Sequence, residues 1–190
     1  MDRFLTAQEN VYEKALAEIV KGKKRTHWMW FIFPQFRGLG QSEMSVFYGI
    51  KDVEEAKEYL AHPILGARLI EISTALLAHK DKSPIAIMGD IDAVKLRSSM
   101  TLFAMISEEN SVFHQVLQQF YKGKMCVKTL SISMQVNEKE FTRKLMDLSR
   151  ATMQKISSLA TSIDNLHEIH RIVMESKTEQ EILTAIAKME

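Results

Sequence analysis

Asp92, Lys95, Ser98 and Ser99 place a carboxylate, an amine and two hydroxyls within about two turns of a helical stretch. A serine hydroxyl beside a lysine supports nucleophilic chemistry when burial holds the amine neutral. Asp92, three residues before Lys95, works against that, because a nearby carboxylate favours the charged ammonium. The segment therefore reads foremost as an anion site, extended by Arg97 and Thr101, and only secondarily as a Ser/Lys nucleophile. No residue can be assigned a catalytic role from this pattern.

A second group lies in HWMWFIFPQFRGLGQS, residues 27–42. Trp30 offers a flat stacking wall, Gln35 and Arg37 offer polar ends, and Gly38 and Gly40 allow a tight turn or a close backbone approach before Ser42. The glycine spacing is not a dinucleotide fingerprint, since no strand-and-crossover unit surrounds it. Trp28 to Phe33 is too apolar to be exposed and reads as core, while Gln35 to Ser42 reads as the site wall. His62, ahead of Pro63 and followed by Arg68 and Glu71, stands where its ring caps a helix or meets a ligand at the positive end of the dipole. The candidate ligand-binding set is thus Trp30, Gln35, Arg37, Gly38, Gly40, Ser42, His62, Lys95, Ser98 and Ser99. Its chemistry suits a small phosphorylated or nucleotide-like ligand. The six histidines are scattered, and His167 and His170 have only Asp164 and Glu168 nearby, so neither a metal site nor a cofactor is expected.

Helices must position these groups. Thr6 with Glu9 forms a capping-box pattern ahead of Val11, Ala15, Leu16, Ile19 and Val20, which recur at helical spacing until Gly22. Asp52 with Glu55 opens another helix, and Pro63 and Pro84 mark two further starts. Asp90 or Asp92 caps a helix carrying Val94, Leu96, Met100, Leu102 and Phe103, and Ser111 begins one that closes near Gly123. Val127 to Met134 is the only candidate strand. An all-α fold follows.

Composition changes near residue 130. All 7 glycines, all 3 prolines, both tryptophans, all 4 tyrosines and 8 of the 9 phenylalanines precede it. The expected division is a compact helical domain over residues 1–130 and a helical arm over 131–190. In the arm Phe141, Leu145, Leu148, Thr152, Ile156, Leu159, Ile163, Leu166, His170 and Val173 step by three or four, as a long helical seam with a stutter, so a long helix or a two-helix arm is expected. Thr178 with Glu181 caps a last short helix. Such a seam either packs on its own chain or forms a homodimer through residues 137–176.

At 190 residues, 46% hydrophobic and 26% charged, the chain has the composition of an ordinary globular protein. A net charge of +1, with only Lys21, Lys23, Lys24 and Arg25 clustered, argues against a nucleic-acid binder. The single Cys126 leaves no internal disulfide to form, and no stretch is long and apolar enough to span a bilayer. A cytoplasmic protein is the expectation.

The blocks HWMWFIFPQFRGLGQSEMSVFYGI, EEAKEYLAHPILGARLIE, GDIDAVKLRSSMTLFAMI and FHQVLQQFYKGKMCVKTL resemble, in order and spacing, the bacterial family called domain of unknown function 1810 over roughly residues 3–130. The resemblance implies a compact, mainly α-helical fold and brings no established activity. It singles out Trp28, Trp30, Phe33, Pro34, Gln35, Gly38, Gly40, Ser42, Tyr48, His62, Pro63, Gly66, Arg68, Leu69, Lys95, Ser98, Ser99, Thr101 and Phe103. Where an aspartate belongs to the last block, this chain has Met125-Cys126. The calpastatin label carried by some members finds no physical support here. KLRSSMTLF and FHQVLQQFYKG also bear a loose likeness to the helical family named for NAD and ADP-ribose, which implies N-glycosidic hydrolysis as an enzymatic version of the ligand reading. The competing reading is a non-enzymatic interaction module that oligomerises through its C-terminal helices.

Overall fold

The computed structural model describes residues 1–160 and 163–189, except for the side chains of Val136, Asn137, Ile163, Asp164 and Leu166. Its described residues form thirteen helices and a single isolated bridge, the parallel pair Phe36 and Ile50. The chain divides into two compact units, Met1–Ser133 and Met134–Glu190.

The first unit contains α1 (Asp2–Gln8), α2 (Tyr12–Val20), α3 (Met29–Ile32), α4 (Glu43–Phe47), α5 (Val53–Ala61), α6 (Leu65–Leu77), α7 (Pro84–Met88), α8 (Asp90–Met105) and α9 (Val112–Tyr121). Helix α10 (Val127–Met146) begins in it. The middle of the unit is α8, whose run from Ser98 to Ala104 is buried without a break. A helix buried all round needs no polar stripe, and α3, α5, α7 and α9 pack against it.

Local chemistry sets the ends. Asp52 caps α5 by accepting the Glu55 N–H at 2.8 Å, while the Glu55 carboxylate accepts from Lys51 N at 2.7 Å. Ser83 caps α7 through Ala86 N, with Pro84 in the first turn. At Gly66 a side-chain carbon would stand 1.9 Å from the Leu60 carbonyl oxygen, so only glycine lets α6 start this close to the end of α5.

Three local expectations are corrected. Neither Asp90 nor Asp92 caps α8, which starts behind Gly89 without a side-chain cap and carries both acids in its first turn, where they suit the positive end of the helix dipole. Thr6 lies inside α1 and caps nothing, and α2 starts at Tyr12 behind an uncapped Val11. The reason is tertiary: buried Gln8 donates from Nε2 to the Phe31 carbonyl and the Tyr59 hydroxyl, anchoring residues 2–8 as a helix of their own. Val127 to Met134 is the first part of α10 rather than a strand. Its buried positions, Thr129 and Ser133, recur at a step of four and leave Val127 and Met134 exposed.

The second unit adds α11 (Arg150–Leu159), α12 (Ile163–Glu175) and α13 (Glu179–Ile186). Ile156, Ile169, Ile172, Val173, Ile182 and Ile186 make its core, with Phe141, Leu145, Leu148 and Leu159 packed against it. The expected long seam is therefore cut into three helices that share one core. Ser149 makes the break by capping α11 through Thr152 N at 3.3 Å. Thr152 is buried and bonds Ser149 and Glu179, and the exposed His170 stacks on Phe141 with ring centres 4.4 Å apart. Thr178 caps α13 as its spacing predicts, through Glu181 N at 3.2 Å. The side chains of Ile163 and Leu166, two members of the seam, lie outside the described residues.

Candidate functional site

The loop between α2 and α3 is organised by one buried carboxylate. Glu18, 7% exposed, accepts at Oε2 from Arg25 N (2.8 Å), Thr26 N (3.1 Å) and Trp28 Nε1 (2.9 Å), and at Oε1 from Thr26 Oγ1 (2.7 Å). Burial alone would raise its pKa. The donors of Arg25, Thr26 and Trp28 outweigh that and hold it at about 2. The loop so fixed carries Lys24, which reaches Asp92 Oδ2 at 2.6 Å and rests 4.9 Å from the centre of the Trp28 ring.

Asp92 is the hinge of a charged chain. Its other oxygen bonds Lys95 Nζ at 2.8 Å, and Lys95 lies 4.6 Å from the centre of the Trp30 ring. Burial opposes ionisation of Asp92, yet the hydrogen bonds and charges of Lys24 and Lys95 hold its pKa below the ordinary carboxylate value. Lys24 and Lys95 thus share one carboxylate, and Lys95 is the cation of the trio that stands against Trp30.

Trp30 and Lys95 stand between two cavities. An inner chamber of about 10 Å³ is lined by Met29, Trp30, Phe33, Gln35, Ser45, Tyr48, Gly49 and Lys95, and an outer groove of about 390 Å³ runs past His27, Trp30, Met88, Gly89, Asp90 and Asp92. Trp30 Nε1 is buried and has no hydrogen-bond partner among the described residues. A buried donor without an acceptor costs free energy and is uncommon in native structures.

The structure thus brings Trp30, Gln35 and Lys95 to line one cleft, sets Gly38, Gly40 and Ser42 in the segment that carries Ser45 to it, and puts Arg37, His62, Ser98 and Ser99 outside its lining. Arg37 is exposed, and its backbone N–H pairs with the Ile50 carbonyl at 2.8 Å. Gly38 is exposed with φ +98°, and Ser42 caps α4 through Ser45 N at 3.2 Å. Gly40 is required by packing, since a side-chain carbon there would lie 2.5 Å from Ser45 Oγ. His62 takes the capping role, its Nδ1 accepting from Ile64 N and Leu65 N at 3.2 and 3.4 Å. Ser98 and Ser99 do not pair with Lys95. Ser98 Oγ lies 3.2 Å from the Val94 carbonyl oxygen and 3.3 Å from Cys126 Sγ, either of which its single O–H can reach, and Ser99 Oγ is buried without a partner among the described residues. Arg97 and Thr101 serve the same joint: Arg97 donates to the carbonyls of Lys124 and Met125, and Thr101 Oγ1 accepts from Cys126 N.

Glu18, Lys24 and Ser45 complete the surroundings of the cleft without a sequence signal, and Tyr48 is marked in the sequence only by the family resemblance. Glu18 looks like one more acidic residue on an amphipathic helix, and Lys24 like one of a solvated basic run. Among the described residues no three His, Cys, Asp or Glu side chains cluster as a metal site, and no single helix is long and apolar enough to cross a membrane.

These features define an α-helical domain with a tryptophan-lysine cleft beside its central helix. The family model described as protein of unknown function, DUF1810, matches residues 1–133, and the chain belongs to that family. A solved relative, the conserved hypothetical protein Rv1873 from Mycobacterium tuberculosis, shares 44% identity over 69% of this chain and 94% of its own, with a TM-score of 0.68. No curated protein matches the chain.

Proposed function

We propose that the domain formed by residues 1–133 binds a small, acceptor-rich molecule, of the phosphorylated or nucleotide-like kind, in the cleft at Trp30, Gln35 and Lys95. The observation that carries this reading is the buried Trp30 Nε1 with no partner among the described residues, in a chamber that Lys95 also lines. Gln35, 9% exposed, lines the same chamber. No carboxylate lines the inner chamber, so its polar groups are donor-rich and suit a carbonyl, carboxylate or phosphate oxygen. The acids Asp90 and Asp92 face the outer groove, where ligand hydroxyls or amines would pair with them.

Melting the intact chain against nucleotides, nucleotide sugars and other phosphorylated metabolites tests this. A ligand at a hundred times its Kd adds about 2.7 kcal/mol by mass action. Lys95→Ala and Trp30→Phe should abolish the stabilisation, while Arg37→Ala, at an exposed residue that lines neither cavity, should preserve it. A hit unaffected by Lys95→Ala and Trp30→Phe would place binding elsewhere and refute the assignment.

A further inference from the structure

The inner chamber holds about 10 Å³, room for roughly one water molecule. Any larger group enters only if a wall moves. Two of its walls are fixed: Met29 and Phe33 belong to the core around α3, and Lys95 stands on the core helix α8. The third wall includes Ser45, carried by residues 38–47, which leave and return through one joint, Arg37 N to the Ile50 carbonyl at 2.8 Å and Ile50 N to the Gln35 carbonyl at 2.9 Å.

We propose that residues 38–47 are a lid over the inner chamber and that Ser45, the side chain it turns inward, is a further binding residue. Four observations support this. Among the described residues, no hydrogen bond ties 38–47 to any residue outside 36–50. Glu43, Met44, Val46 and Phe47 of α4 are exposed, whereas Ser45 is 7% exposed and lines the chamber. Gly38, at φ +98° with open space around it, supplies a hinge that a side chain would strain. Tyr48, its ring tilted against Phe31 with the centres 5.2 Å apart, anchors the far end. A compact loop with adjoining ends, whose one apolar contact with the core among the described residues is the half-buried Leu39, is the kind of element that opens locally without unfolding its domain.

The Ser45 role rests on the binding reading above, while the movement of the lid does not. Hydrogen exchange on the unmodified chain tests the movement first. The Val46 amide, bonded within the lid to the Ser42 carbonyl at 2.9 Å, should exchange at least 100-fold faster than the Arg37 and Ile50 amides at the joint. Equal rates, within about threefold, would mean that the segment opens only with the joint itself and would overturn the lid. A compound that stabilises the protein through Lys95 should then slow Val46 exchange at least tenfold, and Ser45→Ala should weaken its binding at least fivefold. Unchanged Val46 exchange with that compound bound, or unchanged affinity in Ser45→Ala, would overturn the role of Ser45. A panel without any hit would sink the binding reading and the Ser45 role together, with Val46 exchange still deciding the lid.

Discussion

Replacing Glu18 separates the charge of this carboxylate from its shape. In Glu18→Gln the amide oxygen can take the place of Oε2, which faces three N–H donors. The amide nitrogen then faces Thr26 Oγ1, a hydroxyl that can turn to accept. Geometry survives and charge is lost. Lowering the carboxyl from 4.5 to about 2 corresponds, at ~1.36 kcal/mol per tenfold change in proton affinity, to roughly 3 kcal/mol at neutral pH. Glu18→Ala also strands the indole N–H of fully buried Trp28, so its cost should reach about 4–5 kcal/mol. Urea unfolding followed by tryptophan fluorescence is the assay, because both tryptophans lie in the first unit and the signal reports that unit alone. The sign of the pH dependence follows from the lowered pKa: the contribution is whole above pH 4.5 and disappears as pH falls towards 2, and Glu18→Gln should flatten that slope. The reasoning fails if both variants unfold at the same urea concentration as Glu13→Gln, an exposed substitution on the same helix.

Gly66→Ala should destabilise the first unit by about 3 kcal/mol or more, since its methyl meets a backbone oxygen that cannot rotate away, and the fluorescence midpoint reads this directly. Asp92→Asn should cost about 3 kcal/mol in the same assay, because Lys24, its side chain 8% exposed, loses its counter-charge. Cys126 should react with iodoacetamide with a pH inflection below that of a free thiol. Its burial pushes the pKa up, but the Ser98 hydroxyl and the first N–H groups of α10, at Lys128 and Thr129, pull it below the ordinary value. Ser98→Ala should move that inflection upward, and an unchanged profile would exclude Ser98 as the cause.

Where chemistry is local, the sequence spells it out. The capping serine, threonine and aspartate at Ser83, Thr178 and Asp52 are recognisable because each bonds a backbone N–H three residues on. Trp28 to Phe33 reads as core from apolar density alone. Thr6 misleads because its spacing satisfies the same rule, while Gln8, bonding 23 and 51 residues away, fixes the helix. The cleft is legible only in part for the same reason. Lys95 pairs with Asp92 one turn back, as the spacing predicts, but the direction of Ser98 depends on Cys126, 28 residues on. Glu18 is invisible because an acidic side chain on a helix says nothing of the loop that will wrap it.

The C-terminal unit shows how one pattern supports two outcomes. A seam with steps of three and four serves a long coiled coil if the helix continues, and a compact core if it breaks. Ser149 decides between them, since its hydroxyl caps α11 and the chain turns there. Of the seam, Phe141, Leu145, Leu148, Ile156, Leu159 and Val173 then pack within the unit's own core, so their burial requires no second copy. The two outcomes separate on one substitution. Val173→Asp buries an unpaired charge at a fully buried position and should cost about 3 kcal/mol or more, lowering the helical signal at 222 nm. If the seam were instead the face of a homodimer, the same change would halve the mass in solution and leave helicity intact. That result would refute the intrachain core.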